Sequence, residues 1–321
     1  MNLKPIIIVP GQPNSIFFEI FFKSLRKKKI NSPILIICCK KIFENNARRF
    51  KYNKTFNHYT PNSKINKFTH KSIYVLDVRL DKNKNKKIQL NHNNTYVYDC
   101  FNIAFKMLKE KISYKFLNGP INKKKILNNK YLGLTEYISK NFNERNTGML
   151  IYNKKLSVSP LTTHLPIKLI PKTISKKIII NKLKIIDKFY KKIFKFRPKI
   201  GVTGLNPHCE SILETNEDDK IILPAVKLAK KNKILVKGPF AADTIFLEQN
   251  RKKFNVILGM YHDQVLTPIK TLFEYDAINI TMGLPFLRVS PDHGPNEKMI
   301  NKDLSNPDSL IRALEFLDKS W

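Results

Sequence analysis

The sequence predicts an α/β protein built on a largely parallel sheet, and three observations predict it. Short apolar, β-branched runs recur along the whole chain. Helix-length segments separate several of them, the alternation expected of βαβ units. The 321 residues are 42% hydrophobic, enough apolar material to bury a sizeable core, which excludes a disordered polyelectrolyte. At roughly 100–200 residues per domain, the length fits two domains or one large one.

The predicted strands, in order, are Ile6–Val9, Ile34–Ile37, Ser72–Val78, Lys115–Leu117, Met149–Tyr152, Lys199–Thr203, Ile234–Val236, Val256–Met260 and Ala277–Thr281. Tyr98–Lys111 and Leu223–Asn232 read as helices between strands. From Lys176 to Lys195, Leu183, Ile186, Tyr190 and Ile193 recur at three- and four-residue spacing among lysines, with Ser175 placed to cap the start. Such a basic amphipathic helix can lie on a membrane; packing on a sheet is the reading adopted. Met149–Tyr152 and Leu156–Ser159 flank Asn153-Lys154-Lys155, a hairpin spacing that makes the sheet mixed. A terminal helix starts with Asn306 as N-cap and Pro307 at its first position, placing Leu310, Leu314 and Leu317 on one face. Arg48–Lys71 and Asp81–Asn94 are Lys/Asn-rich and weakly patterned, and are expected to be surface loops or insertions. No internal repeat is evident.

The 59 Lys+Arg against 25 Asp+Glu give a net charge of +34. Nine of the cations are Arg and 50 are Lys. Base-edge readout and bidentate phosphate grip favour the planar fork of Arg. Lysine spread everywhere among Asn and Ile is the usage expected of a very AT-rich coding sequence. A solvated surface that attracts anions nonspecifically is therefore the reading, with no specific nucleic-acid partner. No apolar run approaches the ~20 residues that span a bilayer. The opening stretch is too short and too Pro-broken for a signal-peptide core. Cys38, Cys39, Cys100 and Cys209 form no C-x-x-C spacing, as expected of a reduced, cytoplasmic chain.

Chemistry concentrates in the second half. His58, His70 and His92 lie in polar stretches. The other histidines each follow a predicted strand in a compact, turn-rich segment: His164 in Leu161-Thr162-Thr163-His164-Leu165-Pro166, His208 in Gly204-Leu205-Asn206-Pro207-His208, His262 in Met260-Tyr261-His262-Asp263-Gln264, and His293 in Asp292-His293-Gly294. Open α/β sheets hold ligands at strand C-terminal ends. His164, His208 and His262 can converge on a divalent metal, although their spacing fits no local zinc motif; structural histidines are the alternative. Lys270 and Arg288 suit an anion. Arg288 sits between apolar neighbours and needs a carboxylate or phosphate partner.

Those segments, with Asn118-Gly119-Pro120-Ile121-Asn122-Lys123, Gly133-Leu134-Thr135-Glu136-Tyr137, Gly238-Pro239-Phe240-Ala241-Ala242-Asp243-Thr244 and Gly283-Leu284-Pro285-Phe286-Leu287-Arg288, resemble the 4-hydroxythreonine-4-phosphate dehydrogenase family, the NAD-dependent enzymes of vitamin B6 synthesis. Order and spacing match from about residue 115 to 295. The resemblance implies two α/β/α domains with a cleft between them, similar to the metal-dependent β-decarboxylating dehydrogenases. One domain would comprise 1–134 with 277–321, on the NAD side. The other, 135–276, would carry the metal ligands and dimer contacts. It implies His164, His208 and His262 as ligands of a divalent metal, zinc foremost and magnesium or cobalt as alternatives, at a homodimer interface that completes the site. Thr135, Lys270, Asn279 and Arg288 would bind the small phosphorylated substrate.

The implied reaction oxidises 4-phosphohydroxy-L-threonine at C3 and is followed by decarboxylation. The related dehydrogenases lack G-x-G-x-x-G, as does this chain, and by that likeness Asp292, His293 and Gly294 are candidates for the adenosine side of NAD. Lys123 and Asp243 are candidate proton acceptors. Three departures stand out. The family's G-D-P-A-G-I-G-P turn is here Gly11-Gln12-Pro13-Asn14-Ser15-Ile16-Phe17-Phe18. The His of its G-H-T-E is Leu134, which neither donates a hydrogen bond nor carries charge. After Gly294 a Gly/Ala-rich stretch is replaced by Pro295-Asn296-Glu297-Lys298. A sister enzyme acting on a phospho-threonate or phospho-erythronate is the alternative, and outside enzymes a polyanion-binding module with steep salt dependence.

Overall fold

Ile6-Ile7-Ile8-Val9 has no polar side chain to turn toward water, so a strand made of it must be covered on both faces. It forms β1 (Ile6–Val9), with all four side chains fully buried. A computed structural model describes residues 3–60, 68–81, 83, 85–121, 133–210, 216–292, 294 and 296–319. The remaining strands are β2 (Ile34–Cys38), β3 (Asn57–His58), β4 (Ile73–Asp77), β5 (Lys115–Asn118), β6 (Gly148–Tyr152), β7 (Ser157–Thr162), β8 (Ile200–Thr203), β9 (Val236–Phe240), β10 (Val256–Tyr261), β11 (Ile278–Met282) and β12 (Leu287–Pro291).

The chain divides into two units, 1–137 with 285–321, and 138–284. In the first, strand order is β3-β4-β2-β1-β5-β12, and every pair is parallel. Helix Lys86–Lys109 packs on β1 and β2, Lys40–Arg49 on β4, and Asp308–Asp318 on β5 and β12. Helix Phe17–Lys27 buries Phe17, Phe18, Phe21 and Phe22. Phe22 meets Phe43 at 5.5 Å and Tyr52 at 5.3 Å between ring centroids, in a cluster that continues to Phe50.

In the second unit the order is β11-β6-β7-β10-β8-β9. β11–β6 and β6–β7 are antiparallel, while β7–β10, β10–β8 and β8–β9 are parallel. The expected hairpin is β6–β7. Helix Lys176–Phe194 packs on β6, β7 and β11 through buried Ile179, Leu183, Ile186 and Ile193. The Ser175 side chain accepts from the Ile178 amide, as its capping position predicts.

Several expectations need correction. Asp81–Asn94 is not a loop throughout, because helix Lys86–Lys109 starts inside it. Its first turns carry several Asn, a weak helix former, and no clear apolar period, and the helix is held by burial of Asn93, Tyr96 and Val97. Arg48–Lys71 contains the short strand β3, paired with β4. Strand β12 was not predicted, since the buried Arg288 and terminal Pro291 break its apolar pattern. The segment after β10 is a helix, His262–Phe273, and not a turn-rich loop; Pro268 inside it hides the period. The C-terminal helix is Asp308–Asp318, with Asn306 Oδ1 accepting from the Asp308 amide. The two units divide after 137 and after 284, with β11 paired to β6 in the second.

No helix of the described residues is long and apolar enough to cross a membrane, and all four cysteines are free thiols. Phe22→Ala removes a fully buried ring from the aromatic cluster, and urea unfolding should show a loss of about 3–5 kcal/mol.

Candidate active site

The parallel strands β7, β10 and β8 are neighbours, so their C-terminal ends lie along one edge of the second unit's sheet. The chain leaves each end toward a histidine. His164 follows the last residue of β7, Thr162, by two; His262 comes directly after β10; and His208 lies in a short turn, Pro207–Cys209, beyond β8. The rings of His164 and His262 stand 5.9 Å apart between centroids, tilted by 35°. His262 Nδ1 is 2.7 Å from Asp263 Oδ1. An Nδ1–H donated there makes Nε2 the ring's lone-pair donor, the arrangement common to metal-ligating imidazoles. His208 Nδ1 is 3.9 Å from Asp243 Oδ2.

Two of these histidines hold left-handed backbone, His164 at φ 42° and His208 at φ 56°, and Cys209 follows at φ 62°. Each such residue costs about 1–3 kcal/mol and persists only where its surroundings over-determine it. Two side chains, the buried Asp218 and the half-buried Gln264, hold the ends of β8 and β10 that lead to His208 and His262. Asp218 is fully buried; its carboxylate accepts from the amides of Leu205 at 2.8 Å and Asn206 at 3.1 Å, and from Asn206 Nδ2 at 2.9 Å. It thereby fixes the turn that leads to His208. Gln264 Oε1 accepts from Thr203 Oγ1 at 2.8 Å and the Met260 amide at 2.7 Å, while Nε2 donates to the Gly204 carbonyl at 2.7 Å. One amide thus ties the ends of β8 and β10 together. Gln264 stands in a motif visible in the sequence, but only the fold shows this role; Asp218 carried no sequence signal.

Borderline imidazole donors suit a divalent metal such as zinc, and the His164–His262 pair fits that chemistry. Among the described residues, however, no group of three or more potential ligands is closed. The structure brings two of the three expected ligands together and sets the third beside Asp243. Lys270 is exposed on helix His262–Phe273, and Asn279 lies on β11. Asn279 Oδ1 is buried without a hydrogen-bond partner, an acceptor that suits a donor on a ligand.

In the first unit the turns after β1 and β5 touch. The Gln12 amide donates to the Pro120 carbonyl at 3.0 Å and the Gly119 amide to Val9 O at 2.8 Å. A Cβ on Gly119 would stand 2.0 Å from Pro10 O, and Gly11, at φ 86°, faces Pro120 as closely. Gly11, just before the altered Gln12–Phe18 stretch, therefore retains the close approach to the β5 turn. Gln12 is buried, with Nε2 unpartnered.

Arg288 on β12 is buried, and its Nε donates to Asn118 Oδ1 at 2.8 Å. Burial pushes its pKa down to about 10, opposed by the charge of Glu136, so the guanidinium stays cationic at neutral pH. Leu134 is buried at the start of helix Leu134–Asn141, with Thr135 and Glu136 in the same turn. The Asp292 amide donates to Ser309 Oγ at 2.9 Å, and Gly294 is exposed. Lys123 and His293 lie outside the described residues.

Gln264→Leu would leave Met260 N–H, Thr203 O–H and Gly204 C=O without their partner. At about 1–3 kcal/mol per buried group left unsatisfied, it should lower unfolding stability by more than about 2 kcal/mol. Gln264→Glu retains the acceptor and should lose less, both read from urea denaturation.

The family described as pyridoxal phosphate biosynthetic protein PdxA matches residues 29–317. A 4-hydroxythreonine-4-phosphate dehydrogenase of Sulfurihydrogenibium is 34% identical over 97% of this chain and 96% of its own. The D-threonate 4-phosphate dehydrogenase of Salmonella typhimurium is 29% identical over 92% of each. A solved 4-hydroxythreonine-4-phosphate dehydrogenase from Klebsiella pneumoniae superposes with a TM-score of 0.80 at 26% identity, covering 98% of both chains. At the level of fold alone, a β-decarboxylating dehydrogenase from Thermococcus kodakarensis matches with a TM-score of 0.52 at 12% identity, over 98% of this chain and 82% of that one. With its mixed α/β architecture and a match over nearly its whole length, the chain belongs to the PdxA family of pyridoxal phosphate biosynthetic proteins.

Proposed function

We propose that this chain is an NAD- and divalent-metal-dependent dehydrogenase that oxidises 4-phosphohydroxy-L-threonine at C3. The product, 2-amino-3-oxo-4-phosphooxybutanoate, then decarboxylates to 3-amino-2-oxopropyl phosphate. The observation that carries the reading is the His164–His262 pair at the ends of adjacent parallel strands, in a chain 34% identical over 97% of its length to a protein named for this activity. His164 and His262 would hold the metal, with His208 as the third ligand. Asp292, His293 and Gly294 would meet the adenosine side of NAD. When bound, the metal supplies Lewis acidity to a hydroxyl and the resulting carbonyl, and NAD a hydride acceptor.

The chain's own residues position the substrate. Asn118 fixes the plane of the Arg288 guanidinium through Nε, so a phosphate or carboxylate meets a fork already oriented. Burial of Arg288 keeps water from competing for that anion. Asn279 Oδ1 offers a buried acceptor, Thr135 a hydroxyl and Lys270 a second cation. Asp263 orients the His262 ring, and Lys123 and Asp243 are the candidate proton acceptors. The reading includes a homodimer in the cytoplasm. Exposed Leu228, Leu235, Leu247 and Tyr275 supply apolar surface for a second copy.

The test follows NADH absorbance with 4-phosphohydroxy-L-threonine, before and after chelation and with zinc, magnesium or cobalt restored. Chelation should abolish turnover and metal should restore it. His262→Ala should lower kcat/KM by about a thousandfold, the order of removing a principal electrostatic stabiliser. Turnover insensitive to chelator would refute the metal.

A second reading rests on Leu134, buried where the family has His, and on the D-threonate 4-phosphate dehydrogenase among the relatives. It assigns a phospho-threonate or phospho-erythronate as substrate. If this reading holds, phospho-threonate or phospho-erythronate should give the higher kcat/KM, and Leu134→His should shift the ratio toward 4-phosphohydroxy-L-threonine by about tenfold, the worth of roughly one hydrogen bond. Equal kcat/KM ratios for variant and wild type would remove Leu134 from the argument.

A further inference from the structure

We infer a second anion site in the first unit, for a small phosphomonoester with an apolar body, in the cavity at the N-terminal ends of β2 and β4. It lies at the opposite end of these parallel strands from the turns after β1 and β5 and the Arg288 guanidinium. The cavity measures about 160 Å³.

Its charge comes from three separate stretches of chain. Lys28 and Lys29 lie where helix Phe17–Lys27 ends, Lys54 follows helix Lys40–Arg49, and Lys71 precedes β4. Lysine is abundant here, 50 of 321 residues, but it makes up four of the eleven residues lining this one concavity. Among the described residues a few lysines meet an acid one helical turn away, as in Lys23–Glu19, Lys191–Asp187 and Lys252–Glu248. In the cavity Lys28 meets Glu315 at 3.1 Å, and Glu315 also receives Arg312. Among the described residues no carboxylate lies within 4.0 Å of Lys29, Lys54 or Lys71.

The other nearby acid, Asp318, is engaged by the amides of Asn31 and Ser32. Behind the wall the buried Lys115 reaches Ser32 Oγ at 3.3 Å, a further cation whose pKa is lowered by burial and raised by Asp318. The helix C-terminus at Lys27 contributes only about half a negative charge. All four cavity lysines are exposed, so their ammonium groups can reach an anion seated in the hollow and grip phosphate as point charges.

Shape and hydrogen bonding narrow the ligand. Ile30, Ile34 and Ile73, all buried, make an apolar floor that a bare inorganic ion would not use. Ser32, Ser72 and Tyr52 add hydroxyls, and burial raises the Tyr52 pKa, keeping it a protonated donor. Lys71 is held at φ 58° with its amide on Asn31 O at 3.0 Å, which fixes the chain at the cavity rim.

The test titrates the full-length protein with phenyl phosphate and with inorganic phosphate at fixed ionic strength. Hydrogen exchange is followed in the segments around Tyr52 and Ser72. Phenyl phosphate should protect both segments and bind there at least about threefold tighter than inorganic phosphate. Lys29→Ala/Lys54→Ala/Lys71→Ala should weaken that protection about tenfold or more. Lys177→Ala/Lys184→Ala/Lys188→Ala, which removes the same charge from a distant helix, should leave it within about twofold. Equal weakening in both triple variants, no protection of either segment, or equal affinity for the two probes would each overturn the site. None of these outcomes depends on which substrate the enzyme oxidises.

Discussion

Burial of both sheet faces is the constraint on which the rest of this structure depends. Strands β1, β2, β5 and β12 are buried along their whole length, as parallel pairing with helical crossovers requires. Such a sheet has no wet face on which to place chemistry, and only the strand ends remain available. At the C-terminal ends stand the turn pair of Gly11 and Gly119, the Asn118–Arg288 contact, and in the second unit the three histidine-bearing exits. At the N-terminal ends of β2 and β4 stand lysines around an apolar floor. The same architecture thus provides two polar edges of different character.

Precision at the histidine edge comes from the half-buried Gln264 and the buried Asp218 more than from the histidines. Gln264 and Asp218 together satisfy three backbone amides, one backbone carbonyl, a hydroxyl and a side-chain amide. Hydrogen bonds of this kind are modest when made and costly when lost, so they restrict the turns without adding much net stability. Those of Asp218 also bear on the left-handed backbone at His208, two residues beyond the amides it holds.

The charge has a different logic. Most ion pairs are exposed and local, such as Lys40–Glu44 and Lys252–Glu248, and pairs of this kind contribute about 0.5 kcal/mol or less. They leave a large unpaired positive excess that screening limits to a Debye length of about 8 Å at physiological salt. Against that background the buried Arg288 is distinct. Its surroundings, Asn118 on Nε and the charge of Glu136, are specific where the lysine surface is diffuse.

The sequence by itself determined the α/β class, most of the strand cores, the β6–β7 hairpin, the capped helix Lys176–Phe194 and the placement of histidines just past strand ends. These follow from side-chain period and capping chemistry, which neighbours within a few residues carry. Tertiary structure alone decided that helix Lys86–Lys109 begins in a Lys/Asn-rich stretch, that His262 opens a helix containing Pro268, and that β11 belongs with β6. It also decided that His262 lies beside His164, while His208 lies beside Asp243. Distances between loops 44 and 54 residues apart depend on strand register and on long-range ties such as Gln264, and no local pattern encodes either. The lysines around the cavity were equally invisible, because three stretches of an evenly basic chain become a site only when the fold turns them toward one hollow.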